Sequence, residues 1–210
     1  LLSRCRFMFL DDFRSHFSEK VFAEMRGVSD SNGQSPLWDA LGSKFFDMEF
    51  SEADMLSGLG NKSFIAELMP KYPIYLPMLP DAARAVIGRV HENTAPALKM
   101  LQAEGFNFNG MVDIFDGGPA VEAFIHSIRT VREGINRHVM IRKKPLVTDV
   151  PAEQQVMISN RSFRDFRVTT IPAECIGLDT VSIPADVAEA LEVESGDLVR
   201  LAPLKDTGRR

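Results

Sequence analysis

TAPALKMLQAEGFNFNGMVDIF, residues 94 to 115, is the stretch on which the fold turns. Thr94 is a residue type that caps helices, and Pro96 fits a first helical turn because its missing N–H would have no intrahelical partner there. Leu98, Leu101 and their apolar neighbours continue the helix, Gly105 supplies a left-handed stop, and Phe106 to Phe115 is predicted as a strand. Ser35 to Phe50 (SPLWDALGSKFFDMEF) repeats the order of cap, proline, amphipathic helix, glycine, aromatic residue and strand. The repeat predicts a diverged internal duplication, with two related halves of mixed helix and strand.

Working outward, Leu1, Leu2, Cys5, Phe9, Phe13 and Phe17 run at helical spacing, so a helix opens the chain and ends near His16 to Lys20. It has no capping residue ahead of it, and the chain is therefore expected to begin mid-domain. Val21 to Val28 is predicted as a strand with Val21, Ala23 and Met25 on one face. Ser51 and Asp54 signal another cap, Phe64 to Met69 a short helix, and the prolines from Pro70 to Pro80 an extended loop. Asp81 is expected to cap a helix over Ala82–Val90. Asp116 to Pro119 is a turn, Ala120 to Arg132 reads equally as strand-then-helix or one helix, and Arg142 to Pro145 as a basic connector.

A domain boundary is expected near Gly134, giving domains 1–133 and 134–210. Beyond it the β-type runs Gln155–Ser159, Phe166–Ile171, Val181–Ile183 and Asp197–Leu201 surround a short helix over Ala185–Leu191. A Gly-Asp turn before the last run fits a compact, barrel-like β-subdomain.

Composition limits the function classes. The 24 Lys and Arg against 29 Asp and Glu leave a formal charge of −5, which attracts no nucleic acid. Cys5 and Cys175 form neither a disulfide framework nor a zinc ribbon, which fits a reducing cytoplasm. No apolar run approaches the roughly 20 residues that cross a bilayer, so no membrane partner is expected.

Few residues carry chemistry by pattern alone. His91 stands in the break between two helices, where an imidazole can give or take a proton near neutral pH; a surface histidine is the competing reading. His126 sits in an apolar-rich run, and His16 and His138 lie beside charges at element ends, where solvation is the default. No HExxH, Cys/His quartet or EF-hand spacing occurs, and no metal is expected. Ser57 to Ser63 (SGLGNKS) is a weak version of a phosphate-binding nest, or a glycine turn capped by Asn61. There is no GxSxG, and neither cysteine has a context that would activate it. Glu24 and Arg26 end the first strand beside Gly27, where substrate groups often meet backbone, and an edge ion pair is an equal alternative.

Ala23–Phe50 (AEMRGVSDSNGQSPLWDALGSKFFDMEF) and Gly60–Tyr75 (GNKSFIAELMPKYPIY) resemble the arginine N-succinyltransferase family. The likeness continues through Val86–Ala97 (VIGRVHENTAPA) and Glu104–Pro119 (EGFNFNGMVDIFDGGP), and is less sharp in the C-terminal β-region. It implies an α+β fold of the acyl-CoA N-acyltransferase type, with tandem-like halves and a small C-terminal all-β subdomain. It implies transfer of a succinyl group from succinyl-CoA, as co-substrate and without a further cofactor, to the α-amino group of L-arginine in arginine catabolism. The family's proton donor falls on His91. Glu24 and Arg26 are candidates for holding substrate, with Asp113 and Glu67 beside them, because a guanidinium prefers carboxylates and a carboxylate prefers arginine. The resemblance places the main CoA-binding loop upstream of Leu1, so the 210-residue chain is expected to be inactive alone. Assembly with like or related chains, a noncatalytic partner-subunit role, and a different amine or acyl donor stand as alternatives.

Overall fold

In the computed structural model, which describes residues 2–30, 33–59, 63–146 and 150–205, strands β1 (Lys20–Glu24), β2 (Asn107–Val112) and β3 (Pro119–Phe124) form one sheet in the order β1-β3-β2. β2 and β3 are antiparallel, pairing Asn107 with Glu122, Phe108 with Val121 and Val112 with Pro119. Three residues of β2 (109–111) therefore oppose one of β3 (Ala120) between the last pairs, and Gly110, at φ +95°, takes up the excess as an irregularity in the ladder. A second sheet has the order β6-β5-β8-β4-β7, from β4 (Ile135–Arg142), β5 (Gln155–Ser159), β6 (Val168–Pro172), β7 (Thr180–Pro184) and β8 (Leu198–Pro203). Its pairings are antiparallel except β4 with β7, which are parallel.

The chain divides into two compact units: Phe22–Gln102 with Phe106–Glu122, and Leu1–Val21 with Ala103–Gly105 and Ala123–Arg210. This division differs from a boundary near Gly134, because helix α1 (Leu2–Asp12) belongs to the same unit as the C-terminal strands. Strand alternation explains it. Val156, Ile158 and Leu201 face a core shared with Val139, Ile171, Val181, Ile183 and Val199, whereas Met157 and Ala202 face the other way and bury Met8 of α1. Phe9 of α1 completes the contact, with its ring centroid 5.0 Å from Phe166 and 5.4 Å from Phe163. The expected helix over Ala185–Leu191 stands as α8, so the C-terminal segment carries a helix among its five strands.

In the other unit, the expected helix from Ser35 forms, with a π-helical stretch over Trp38–Gly42 that runs into α2 (Ser43–Phe45). The strand expected through Phe46, Met48 and Phe50 does not form: the chain bends, and α3 (Phe50–Gly58) begins instead. Trp38 is the cause. Its Nε1–H donates to the Met48 carbonyl (3.3 Å), its ring stacks on Phe46 at 5.4 Å, and Phe50 and Phe115 close around it. The first half of the apparent duplication thus lacks its strand. After α4 (Ser63–Leu68) and the proline-rich loop, α5 spans Asp81–Val86, with Pro80 at the capping position and the Asp81 carboxylate, inside the first turn, paired with Arg84. α6 (Ala95–Ala103) follows, Gly105 stops it at φ +100°, and α7 (Arg129–Arg132) resolves the ambiguous run after β3 as strand then helix.

Candidate functional site

The strip around His91 is built from three backbone segments of the first unit. Gly27 and Val90 form an isolated antiparallel bridge, and the His91 N–H donates to the Arg26 carbonyl at 2.8 Å. The His91 carbonyl accepts from Thr94 (2.9 Å) and Ala95 (3.0 Å), which starts the helical turn three residues before the cap expected at Thr94. The side chain is held as well: the Asn93 N–H donates to Nδ1 at 3.1 Å. A backbone N–H can only donate, so Nδ1 is the acceptor and the proton of the neutral ring sits on Nε2. His91 is only partly buried, and in this tautomer the free edge of the ring is a donor.

The third segment is the loop between β2 and β3. Asp116, buried, takes the Gly27 N–H on Oδ2 (2.6 Å) and the Gly118 N–H on Oδ1 (2.8 Å). Asp113 takes the Phe115 N–H (2.7 Å) and the Asp116 N–H (3.3 Å), both on Oδ1. Burial pushes the Asp113 carboxyl above the usual carboxylate range; the Phe115 N–H opposes the shift, and the Asp116 and Glu24 charges add to it. Gly88 donates to the Gly117 carbonyl at 2.8 Å, three residues before His91.

Glu24, Arg26, Asp113 and His91 thus lie on backbone segments that are hydrogen-bonded to one another. Glu24 and Arg26 are exposed, and the Arg26 guanidinium donates to Ser29 Oγ at 2.8 Å. Glu67 lies exposed on α4, outside this strip. Asp116 was missed as a site residue and read only as part of a turn; the signal was an Asp followed by two glycines, opposite a third glycine at position 27. Gly60, Asn61 and Lys62 of the SGLGNKS motif lie outside the described residues.

The other chemical candidates find structural partners. His138 Nδ1 lies 2.9 Å from the Gly196 carbonyl, His16 packs on Phe163 and His126 on Phe124. Burial pushes the Cys175 thiol up, away from a nucleophilic thiolate. Among the described residues no group of three or more His, Cys, Asp or Glu side chains is placed to hold a metal ion, and no helix is long and apolar enough to cross a membrane.

These features define a mixed helix-and-sheet protein in which a histidine, fixed by backbone and ring, stands beside a buried carboxylate loop. Residues 1–130 match the family described as arginine N-succinyltransferase beta subunit, and residues 137–203 match the C-terminal domain of that family. Arginine N-succinyltransferase subunit beta of Pseudomonas aeruginosa is 48% identical over 206 residues, covering 97% of this chain and 58% of the relative. Arginine N-succinyltransferase of Yersinia enterocolitica is 45% identical over 203 residues, with the same two coverages. The solved structure of arginine/ornithine succinyltransferase subunit AI from Pseudomonas aeruginosa superposes with a TM-score of 0.83 at 34% identity, covering 97% of this chain and 57% of that one. The chain belongs to the arginine N-succinyltransferase beta-subunit family, and it spans 58% of the length of these curated relatives.

Proposed function

We propose that this chain serves succinyl transfer from succinyl-CoA to the α-amino group of L-arginine, in the cytoplasm and as a step of arginine catabolism. The observation that carries the reading is family membership along almost the whole chain, joined to a His91 whose ring is held with its Nε2 face free. In the transfer the neutral amine attacks the thioester carbonyl, the C–S bond breaks, the amine gives up a proton and the departing thiolate takes one. We assign His91 Nε2–H to donate to the departing sulfur, and the proton that the amine releases restores the ring, so that the imidazole ends the transfer neutral, as it began. Glu24 is an exposed carboxylate of the strip, as is Glu92, whereas Asp113 and Asp116 are committed to backbone N–H groups, and Glu24 is the one we assign to the guanidinium. Arg26, exposed two residues further on, is assigned to the substrate carboxylate. Likeness to a subunit of an arginine/ornithine succinyltransferase favours ornithine as a second amine and an assembly of more than one chain.

The test is turnover of succinyl-CoA with arginine and ornithine, using the purified protein with any companion chain that intact-mass measurement shows to travel with it. His91→Ala is expected to lower kcat by about 10²-fold; unchanged turnover removes His91 from the reaction. Glu24→Gln is expected to raise the arginine KM about tenfold, the scale of one lost charged hydrogen bond, with kcat held. An unchanged KM assigns the guanidinium elsewhere.

A further inference from the structure

We propose that Asp116 is a positioning residue for His91, acting through the backbone of Gly27 and Arg26; this rests on the reading of His91 as proton donor. The path is short and continuous. Asp116 Oδ2 holds the Gly27 N–H at 2.6 Å, Gly27 bridges Val90, and the Arg26 carbonyl immediately before Gly27 receives the His91 N–H at 2.8 Å. Asp116 Oδ1 meanwhile holds Gly118 at 2.8 Å, and the intervening Gly117 carbonyl receives the Gly88 N–H. One buried carboxylate therefore ties the loop to Gly27 directly, while the loop holds Gly88 on one side of Val90 and Arg26 holds His91 on the other. Direct contact with substrate is not part of its role: Asp116 is 8% exposed, and both of its oxygens are occupied.

The neighbouring Asp113 supplies a control, because the two carboxylates are used differently. Asp113 receives both of its bonds on Oδ1, so the amide oxygen of Asp113→Asn can keep them. Asp116 uses one oxygen for each N–H, so Asp116→Asn keeps one bond and turns an NH2 group toward the other donor. The expected result is that Asp116→Asn raises amide hydrogen exchange at Gly27, Gly118 and His91 by about tenfold, whereas Asp113→Asn leaves exchange at His91 unchanged. The 15N signals of the His91 ring, which report the Nε2–H tautomer in the parent protein, are expected to move toward a tautomer mixture in Asp116→Asn alone. In the turnover assay Asp116→Asn is expected to lower kcat by about 10²-fold with the arginine KM unchanged, as misplacement of a catalytic group does.

A folded Asp116→Asn protein with parental exchange and ring signals at His91 overturns the proposal. Should that variant fail to fold, the parent protein decides: matching protection of the Gly27, Gly118 and His91 amides supports the proposal, and a His91 amide that exchanges freely while the two glycines are protected overturns it. Full turnover in His91→Ala would overturn the proton-donor reading alone, because exchange and ring signals report the positioning independently of turnover.

Discussion

Glu104→Ala is expected to destabilise the unit built on the five-stranded sheet by about 3–5 kcal/mol, the scale of breaking a buried ion pair from one side. Glu104 is fully buried and accepts four hydrogen bonds, from Arg4 Nε (2.7 Å), Arg129 Nη2 (2.6 Å), the Thr130 N–H (2.9 Å) and Thr130 Oγ1 (2.7 Å). Truncation leaves Arg129, itself 3% exposed, with Glu133 as its one remaining carboxylate, and strips the Thr130 N–H of its acceptor. Burial by itself would raise the Glu104 pKa, but the hydrogen bonds from Thr130, Arg129 and Arg4 outweigh it and hold the carboxyl below its usual range. A depressed pKa means that the folded state binds the proton less readily than the unfolded chain does. The contribution is therefore complete above the ordinary glutamate value of about 4.3, and it is lost as the pH falls through the lower, folded value. Urea titrations of the parent and Glu104→Gln from neutral to acid pH should show the parent losing its advantage over that window. A loss below about 1 kcal/mol in Glu104→Ala would show that the network is not what holds these elements.

How much of this was legible in the sequence depends on how each segment spends its apolar residues. β5 and α8 stand where the sequence places them because Val156, Ile158, Ala188 and Leu191 alternate or recur at the period of their element and enter one core. β4, paired on both sides, escaped notice: only Val139 along its length is buried, and only its last residue, Arg142, entered a secondary-structure reading, as the start of a basic connector. The bend at Phe46 was illegible for the opposite reason. Three apolar residues at period two look like a strand, and only the tertiary packing around Trp38 gathers them into a cluster instead. At the site, the position of His91 between helices was visible in the pattern, while its proposed role came from resemblance to a family. Asp116 was hidden because its partners, Gly27 and Gly118, are recognised by their backbones, which leave no side-chain signature beyond the glycines themselves.

Those glycines yield the second large effect. Gly118→Ala is expected to cost more than about 3 kcal/mol in the unit that carries His91, because the added Cβ would lie 2.0 Å from the Met25 carbonyl oxygen and 2.5 Å from the Gly27 nitrogen. Both neighbours are backbone, so no rotamer change relieves the overlap, and the two segments must separate. Separation stretches the Met25 N–H to Pro119 carbonyl bond (3.0 Å) and the paired bonds to Asp116. It also carries Arg26, and hence the acceptor of the His91 N–H, away from the loop. Gly110→Ala isolates the conformational cost, since Gly110 has φ +95° but open space where a Cβ would stand, and about 1–2 kcal/mol is expected there. Thermal and urea unfolding of the two variants beside the parent should therefore rank Gly118→Ala well below Gly110→Ala. Gly118 has no positive φ, so its cost rests on the overlap, and a loss no larger than that of Gly110→Ala would mean that the two segments absorb the added Cβ. In that event the close approach of Gly118 to Met25 and Gly27 would not be what seats the loop against the His91 strip.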